Sequence, residues 1–283
     1  MNKQKEGFVY ILISPKTQYI KIGGTDYPPL KRIREINSTE PYKSLGPWML
    51  GDFRQVNDWE KVEYNLHYTF RSKRIESIQG QKELFEITLQ EASSKLNEID
   101  PLEIINKPKV DRMFQDEQFS QYLIKLFRFT GLMNWLDLQG AWTFVLFPGT
   151  SGGRYFTINI GPHEVAFSIL KKKSQEAVHM ILMDKLILDF KIVKNWVKRH
   201  NGFIEEGVYD RALPRSASVF FEGDLNVALE FLTLDGIRRA VMAYWMESLI
   251  TLKEKGVLSS YAKYHNYNAV AELNKKLQEM HTW

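Results

Sequence analysis

The chain has 283 residues, 44% apolar and 25% charged, with a formal net charge of +4 and no cysteine. That composition is ordinary for a globular chain and long enough for two domains of about 100–150 residues each. The absence of cysteine excludes disulfides, thiolate metal sites and cysteine nucleophiles, and with them any need for an oxidising compartment, so a cytoplasmic setting is expected. Met1 to Glu6 is polar and does not read as a signal peptide. The apolar runs Trp142 to Phe147 and Met180 to Phe190 are too short or too interrupted by charge to span a bilayer. A pI near 8.9 allows a polyanionic partner without requiring one.

In chain order, Gly7 to Leu12 and Tyr19 to Thr25 are rich in β-branched and aromatic residues, and Ser14-Pro15-Lys16-Thr17-Gln18 between them is turn chemistry. Together they predict a β-hairpin. Alternation puts Phe8, Tyr10 and Leu12 on one face of the first arm and Tyr19, Lys21 and Gly23 on one face of the second. A turn centred on Pro15 and Lys16 sets Tyr10 almost opposite Lys21, a phenol beside an ammonium. Gly23-Gly24 suits either a plain turn or close approach of a phosphate to the backbone.

Leu30 to Asn37 follows Pro28-Pro29 as a helix with Leu30, Ile33 and Ile36 inward. Arg32 and Arg34 fall on opposite shoulders of that stripe, and the helical wheel does not choose between them. Pro41 to Phe53 ends in a short strand. Asn57 or Asp58 caps a helix running through Trp59, Val62, Leu66 and Phe70. On it Glu60, Glu63 and His67 form one polar strip, and Glu63 and His67, four residues apart, look the same way. Arg71-Ser72-Lys73-Arg74 closes this helix with positive charge. It reads either as a solvated helix end or, with Arg34, as a nucleic-acid-contacting patch. Glu83 to Ile87 predicts a last strand and Glu91 to Ile99 an amphipathic helix. Asp100-Pro101 through Lys107-Pro108-Lys109 reads as a boundary, which sets a first domain at residues 1–106 and a second at 107–283.

In the second half, Asp116 to Phe129 reads as an amphipathic helix, and Trp142 to Phe147, Tyr155 to Ile160 and Val165 to Leu170 as successive antiparallel strands. The glycine-rich Pro148 to Gly153 between the first two lacks the ending of a phosphate-binding loop and reads as a hairpin connection. Glu176 to His200 is predicted mainly helical, Ala217 to Phe221 a strand, and Leu225 to Leu232, Asp235 to Lys255 and Tyr261 to Met280 helices. Trp135, Trp142, Trp196 and Trp245 suit either the core or a pocket for a nucleobase. His163, His179, His200, His265 and His281 have no metal-ligand spacing.

Several of these pieces stand in the order of a known family. Phe8-Val9-Tyr10, Lys21-Ile22-Gly23, an arginine on the next helix, Glu63-Tyr64-Asn65-Leu66-His67-Tyr68-Thr69-Phe70 and Glu83-Leu84-Phe85 resemble the GIY-YIG nuclease superfamily. The match is closer to its phage T5 open-reading-frame type branch and covers about residues 7–87. Spacing from Gly23 gives Arg32 rather than Arg34 the arginine position. Phe8 stands where the superfamily has glycine and Lys21 where it has tyrosine, the second being regular in the branch.

The second half reads by its own residues as a larger α+β domain, so the chain as a whole is α+β. For the first domain the resemblance implies a small α/β sandwich with a central three-stranded antiparallel sheet and helices. It also implies a divalent-metal-dependent endonuclease acting on DNA, as in restriction or phage defence. In that reading Glu63 binds Mg²⁺ or Mn²⁺, Tyr10 is the base with its phenolate favoured by Lys21, and Arg32 holds a phosphate oxygen through its forked donors. His67 orients water or assists proton transfer. A tyrosine with its ordinary pKa near 10 needs neighbouring positive charge for this role at neutral pH. DNA is the implied partner, and no membrane is. Such an enzyme can cut both strands as a homodimer, and the second domain is expected to recognise DNA or a protein partner. The alternative is a nucleic-acid-binding protein whose nuclease-like domain docks without cleaving. The joint presence of Tyr10, Lys21, Arg32, Glu63 and His67 favours the enzyme.

Overall fold

A computed structural model describes residues 5–105, 113, 116–138, 140–147, 153–171, 176–207, 209 and 213–279. The chain divides into two compact units, Met1–Lys107 and Pro108–Trp283. Residues 148–152 of the glycine-rich connection, His281 and the 106–109 end of the boundary segment lie outside the described residues.

In the first unit, β1 (Gly7–Ser14) and β2 (Thr17–Thr25) form the hairpin. β3 (Met49–Val56) pairs with the far side of β1 and β4 (Leu84–Phe85) with the outer side of β2. The result is an antiparallel sheet in the order β3-β1-β2-β4. The α+β class stands, and the sheet has four strands where the resemblance implies three. The fourth falls within the strand read at Glu83 to Ile87 but is only two residues long, and it covers only Ile20 and Lys21 of β2.

Alternation then builds the sandwich. Val9, Ile11 and Ile22 face a core made with Val62, Leu66 and Phe70 from the region of α3 (Trp59–Thr69) and with Ala92 and Leu96 of α4 (Leu89–Asn97). Both helices start where their caps dictate: Asp58 accepts from the Lys61 N–H, and Thr88 and Glu91 form a reciprocal capping box. Phe8, Tyr10 and Leu12 point the other way, toward α1 (Pro29–Ile36), which buries Ile33 and Ile36. A short helix, α2 (Tyr42–Leu45), precedes β3.

In the second unit, β5 (Trp142–Leu146), β6 (Arg154–Ile160), β7 (His163–Leu170), β8 (Ala177–Asp184), β9 (Phe203–Glu206) and β10 (Ser216–Gly223) form an antiparallel sheet in the order β5-β6-β7-β8-β10-β9. Its helices are α5 (Glu117–Thr130), α6 (Lys191–Arg199), α7 (Leu225–Phe231), α8 (Ile237–Lys255) and α9 (Tyr267–Glu279). No helix among the described residues is long and apolar enough to cross a membrane.

Two expectations for this unit are corrected. The stretch 176–200 is helical only from Lys185 onward, in a 3₁₀ helix (Lys185–Asp189) and α6. Its first part is β8, an interior strand between β7 and β10 that is buried almost throughout. A strand covered on both faces has no polar alternation, so its run of Met, Ile and Leu carries no period that separates it from a buried helix. Nor do the four tryptophans line a pocket. Trp142, Trp196 and Trp245 are buried, and their indole N–H groups donate to the Trp135 carbonyl (2.8 Å), Glu230 Oε1 (2.6 Å) and the Leu182 carbonyl (2.7 Å). Trp135 is partly buried against the same core, its N–H on Met246 Sδ. An indole whose donor is already used inside has no polar group left for a base.

Candidate active site

The site is organised by an uncovered strand edge. Pairing of β4 with β2 stops at Lys21, with one further bond from the Ile22 N–H to the Glu83 carbonyl at 3.0 Å. Past that point α3 supplies side chains in place of a strand. His67 Nε2 lies 3.0 Å from the Ile22 carbonyl oxygen, and Glu63 accepts from the Gly24 N–H. A carbonyl only accepts, so His67 carries its proton on Nε2 and its lone pair on Nδ1. The helical spacing read from the sequence therefore has a structural purpose: residues 63 and 67 reach backbone groups two apart on β2. Their own separation, His67 Nε2 to Glu63 Oε1, is 3.9 Å.

Gly23 and Gly24 are neither a turn nor a bare phosphate cradle. Both lie inside β2, and each admits a side chain on one face. A Cβ on Gly23 would stand 2.6 Å from the Tyr10 hydroxyl oxygen, and one on Gly24 would stand 2.2 Å from Trp59 Cε3 and 3.0 Å from Glu63 Oε2. Gly23→Ala is thus expected to displace the Tyr10 ring and to destabilise the unit by about 1–3 kcal/mol, the usual cost of overpacking. Chemical denaturation with DNA cleavage measured in parallel checks this; a variant of unchanged stability and rate would contradict it.

Tyr10 pairs with Gly23 and Lys21 with Leu12, so the phenol and the ammonium are diagonal neighbours rather than opposite. The reason is an irregularity between Leu12 and Ser14. Ser14 pairs with Thr17, as a turn at Pro15 and Lys16 requires, but Leu12 pairs with Lys21, which advances the register by two positions. The positive charge that serves Tyr10 is consequently that of Arg32, within hydrogen-bonding reach of its hydroxyl. Burial dominates all the same and pushes the phenol up to about 12, with Arg32 pulling it down and Glu63 adding to the rise. The expectation that Lys21 holds Tyr10 as a phenolate is therefore overturned.

Lys21 is 1% exposed and is committed elsewhere. Its Nζ contacts Glu83 Oε2 and lies 4.3 Å from the centre of the Tyr42 ring. Burial pulls the ammonium down to about 7, Glu63 opposes this and Arg32 adds to it. The Glu83 carboxylate in direct contact also works against burial and favours the charged form. Lys21→Ala strips Glu83 of its cationic partner, leaving it the Tyr42 hydroxyl, and opens a hole under α2. The expected loss is about 2–3 kcal/mol, below the 3–5 kcal/mol of a fully buried pair because Glu83 is 32% exposed. Urea melts of Lys21→Ala and of Lys21→Met with Glu83→Gln test this, the double variant recovering part of the loss. Equal stability of Lys21→Ala and the parent would exclude it.

The sequence misses Tyr42 and Glu83 as site residues. Tyr42 donates to Glu83 Oε2 at 3.3 Å, and burial raises its pKa, opposed by Arg32 and reinforced by Glu63. Its only signal is a tyrosine between Pro41 and Lys43 in a stretch without period. Glu83 stands within the closing motif but reads there as part of a strand.

Arg32 is the arginine that turns inward, while Arg34 lies exposed on the other shoulder of α1. Arg32 Nη1 donates to Glu35 Oε2 at 2.9 Å, and the Tyr27 hydroxyl donates to the same oxygen at 2.6 Å. Glu35 and Tyr10 hold the guanidinium above its usual pKa range. For Glu63, burial raises the pKa, while Lys21 and the Gly24 N–H pull it down. His67 is lowered by burial, so it is neutral at pH 7. The basic run divides. Arg71 is exposed, donates to the Tyr68 carbonyl at 2.9 Å and lies 4.1 Å over the Tyr68 ring, and Lys73 is exposed. Arg74 sits over the Phe85 ring and its charge depresses His67, so of the three it is the one beside the site; its Nε is buried without a hydrogen-bond partner.

Among the described residues no group of three His, Asp or Glu side chains converges on a cation position. One largely buried carboxylate, whose ionised form burial disfavours, still fits Mg²⁺, which takes one or two carboxylates and completes its shell with waters and substrate phosphate. No curated protein and no solved structure matches the chain. Residues 7–100 do match a family model, that of the T5orf172 domain, a nuclease-like and DNA-binding domain family.

Proposed function

We propose that the first unit is a divalent-metal-dependent endonuclease of the GIY-YIG type that hydrolyses DNA phosphodiester bonds. What supports this reading most is the meeting of Tyr10, Arg32, Glu63 and His67 around one uncovered stretch of β2, with Lys21 buried beside them. The four groups nearest the substrate are a proton acceptor, a forked cation, a carboxylate and a neutral imidazole, which hydrolysis of a phosphodiester uses together.

In the reaction a water oxygen forms a bond to phosphorus and the bond from phosphorus to the 3′ oxygen breaks. Tyr10, in its ionised form, takes the water proton, and the leaving oxygen is protonated from solvent. Arg32, braced by Glu35, holds a non-bridging oxygen as charge builds on it. His67 is fixed by the Ile22 carbonyl and orients the water through Nδ1. Lys21 adds positive potential from below without leaving its place on Glu83. Glu63 is the residue that would hold Mg²⁺ or Mn²⁺, and the ion would supply screening of the phosphate charge and stabilisation of the leaving oxygen.

The test is cleavage of supercoiled plasmid and of single-stranded DNA with Mg²⁺ or Mn²⁺ by the intact chain, Glu63→Ala and Tyr10→Phe. Cleavage that needs the metal and disappears in both variants is expected. Binding of DNA without cleavage of any form, unchanged in Glu63→Ala, would replace the enzyme by a docking module.

A further inference from the structure

The second unit contains a cavity of about 480 Å³ on the polar face of its first three strands. Alternation on β5 and β6 sends Trp142, Phe144, Phe156 and Ile158 into the core and Thr143, Val145, Thr157 and Asn159 to the opposite face. A sheet face of that composition is ordinarily wet, yet Thr143, Thr157 and Asn159 are all buried. Thr157 and Asn159 line the cavity together with Tyr209, Tyr261 and Tyr264. The segment carrying Tyr261 and Tyr264 is tied down at Ser259, whose hydroxyl donates to the Gly161 carbonyl and whose N–H donates to that of Gly140, both at 2.6 Å.

The floor is a fixed polar array. Arg154 Nε donates to Thr157 Oγ1 (2.8 Å), Thr157 donates to Glu164 Oε1 (2.9 Å), and Arg154 Nη2 contacts the same carboxylate oxygen. The guanidinium is also held 4.7 Å from the centre of the Phe167 ring. Among the described residues both hydrogen bonds to the Glu164 carboxylate fall on Oε1, which leaves Oε2 as an acceptor on a rigid mount. Beside it, Asn159 donates Nδ2 to Thr143 Oγ1 at 3.1 Å. The rim differs in kind. Tyr261 and Tyr264 are 41% and 54% exposed at the cavity mouth, and Lys263 Nζ lies 4.8 Å from the centre of the Tyr264 ring, so one face of that ring already carries a cation and the other remains for a base.

We propose that this cavity binds a nucleobase bearing an exocyclic amine, either in a free nucleotide or as a base turned out of a DNA strand. The volume lies within the few hundred to about 1,000 Å³ of small-molecule sites, and the combination of an apolar rim with a few fixed polar groups is what such sites share. Tyrosine faces stack on any base. The carboxylate makes the choice, since it only accepts: it favours a base edge that offers an exocyclic amine, as adenine, cytosine and guanine do, over uracil or thymine, which offer only an N3–H flanked by two carbonyl oxygens. This assignment does not depend on cleavage by the first unit.

Calorimetric titration of the full chain without metal tests it, using AMP, CMP, GMP and UMP, and separately a single-stranded oligonucleotide with its abasic counterpart. The amino-bearing nucleotides are expected to bind more tightly than UMP if the ligand is a free nucleotide. If it is a base in a strand, the oligonucleotide binds and the abasic one loses affinity. Tyr264→Ala, at an exposed rim position that leaves the core intact, is expected to weaken binding about 5- to 150-fold, the range of one base stack. Glu164→Gln, which offers a donor as well as an acceptor, is expected to narrow or reverse the preference over UMP. Absence of binding in both arms, or binding indifferent to both substitutions, overturns the proposal. Because no metal is present, this outcome is separate from failure of the cleavage reading.

Discussion

Glu63→Gln is expected to lower metal-dependent DNA cleavage by about a thousandfold, the scale of several kcal/mol of charge stabilisation, while leaving the fold as stable as before or more so. The two signs are opposite because the carboxylate is poorly placed for stability. Burial raises its folded pKa above the unfolded value, and Lys21 and the Gly24 N–H only partly offset that. A group raised in this way contributes its stability below the unfolded pKa and loses it as pH rises through the folded value, so at neutral pH the ionised Glu63 is a cost. Glutamine carries no charge to desolvate. Thermal melts from pH 4 to 8 should therefore show Glu63→Gln gaining on the parent as pH rises, and plasmid nicking with Mg²⁺ should show the loss of rate. A variant that nicks at more than a tenth of the parent rate would remove Glu63 from the metal site.

The second large effect concerns the base. With the Tyr10 phenol pushed up to about 12 by burial, the fraction ionised rises tenfold for each pH unit across the accessible range. A rate set by the Tyr10 phenolate therefore climbs with unit slope through pH 7, 8 and 9 without a plateau, and Tyr10→Phe abolishes that climb with a loss of about 10²–10⁴-fold. The competing base is His67. It is neutral already, with a pKa lowered by burial, so a rate set by its Nδ1 would level off above that value and be flat from pH 7 upward. Single-turnover cleavage from pH 6 to 9.5 for the parent, Tyr10→Phe and His67→Gln separates the two. A flat profile above pH 7 together with an active Tyr10→Phe would transfer the role to His67. Phenylalanine keeps the ring that lies on Gly23, so its effect reports the hydroxyl rather than the packing.

Residue types and their order were legible where a local rule governs them. The hairpin, α1, α3 and α4 follow from alternation, proline placement and side-chain caps, all of which act within a few residues. Glu63 and His67 were recognisable as a pair for the same reason, since four residues of helix set them on one side. β8 was not legible, because a strand buried on both faces looks like any apolar run until its neighbours are known. The tryptophans were ambiguous in a related way: a sequence does not say where an indole N–H finds its acceptor, and these find theirs in the core.

By itself the sequence determined the faces of the amphipathic elements, which sets Tyr10 on one face of its strand and Glu63 and His67 on one side of their helix, while Arg32 was separated from Arg34 only by the spacing of the family resemblance. Only the tertiary structure decided how Tyr10, Arg32, Glu63 and His67 act on one another. The register advance between Leu12 and Ser14 moves Lys21 away from Tyr10 and onto Glu83. Burial under α1 then makes Tyr10 a phenol rather than a phenolate, and a two-residue β4 leaves Ile22 and Gly24 open for His67 and Glu63. Pairing register, burial and strand length depend on contacts between segments far apart in the chain, and the same contacts set the dielectric in which each group titrates.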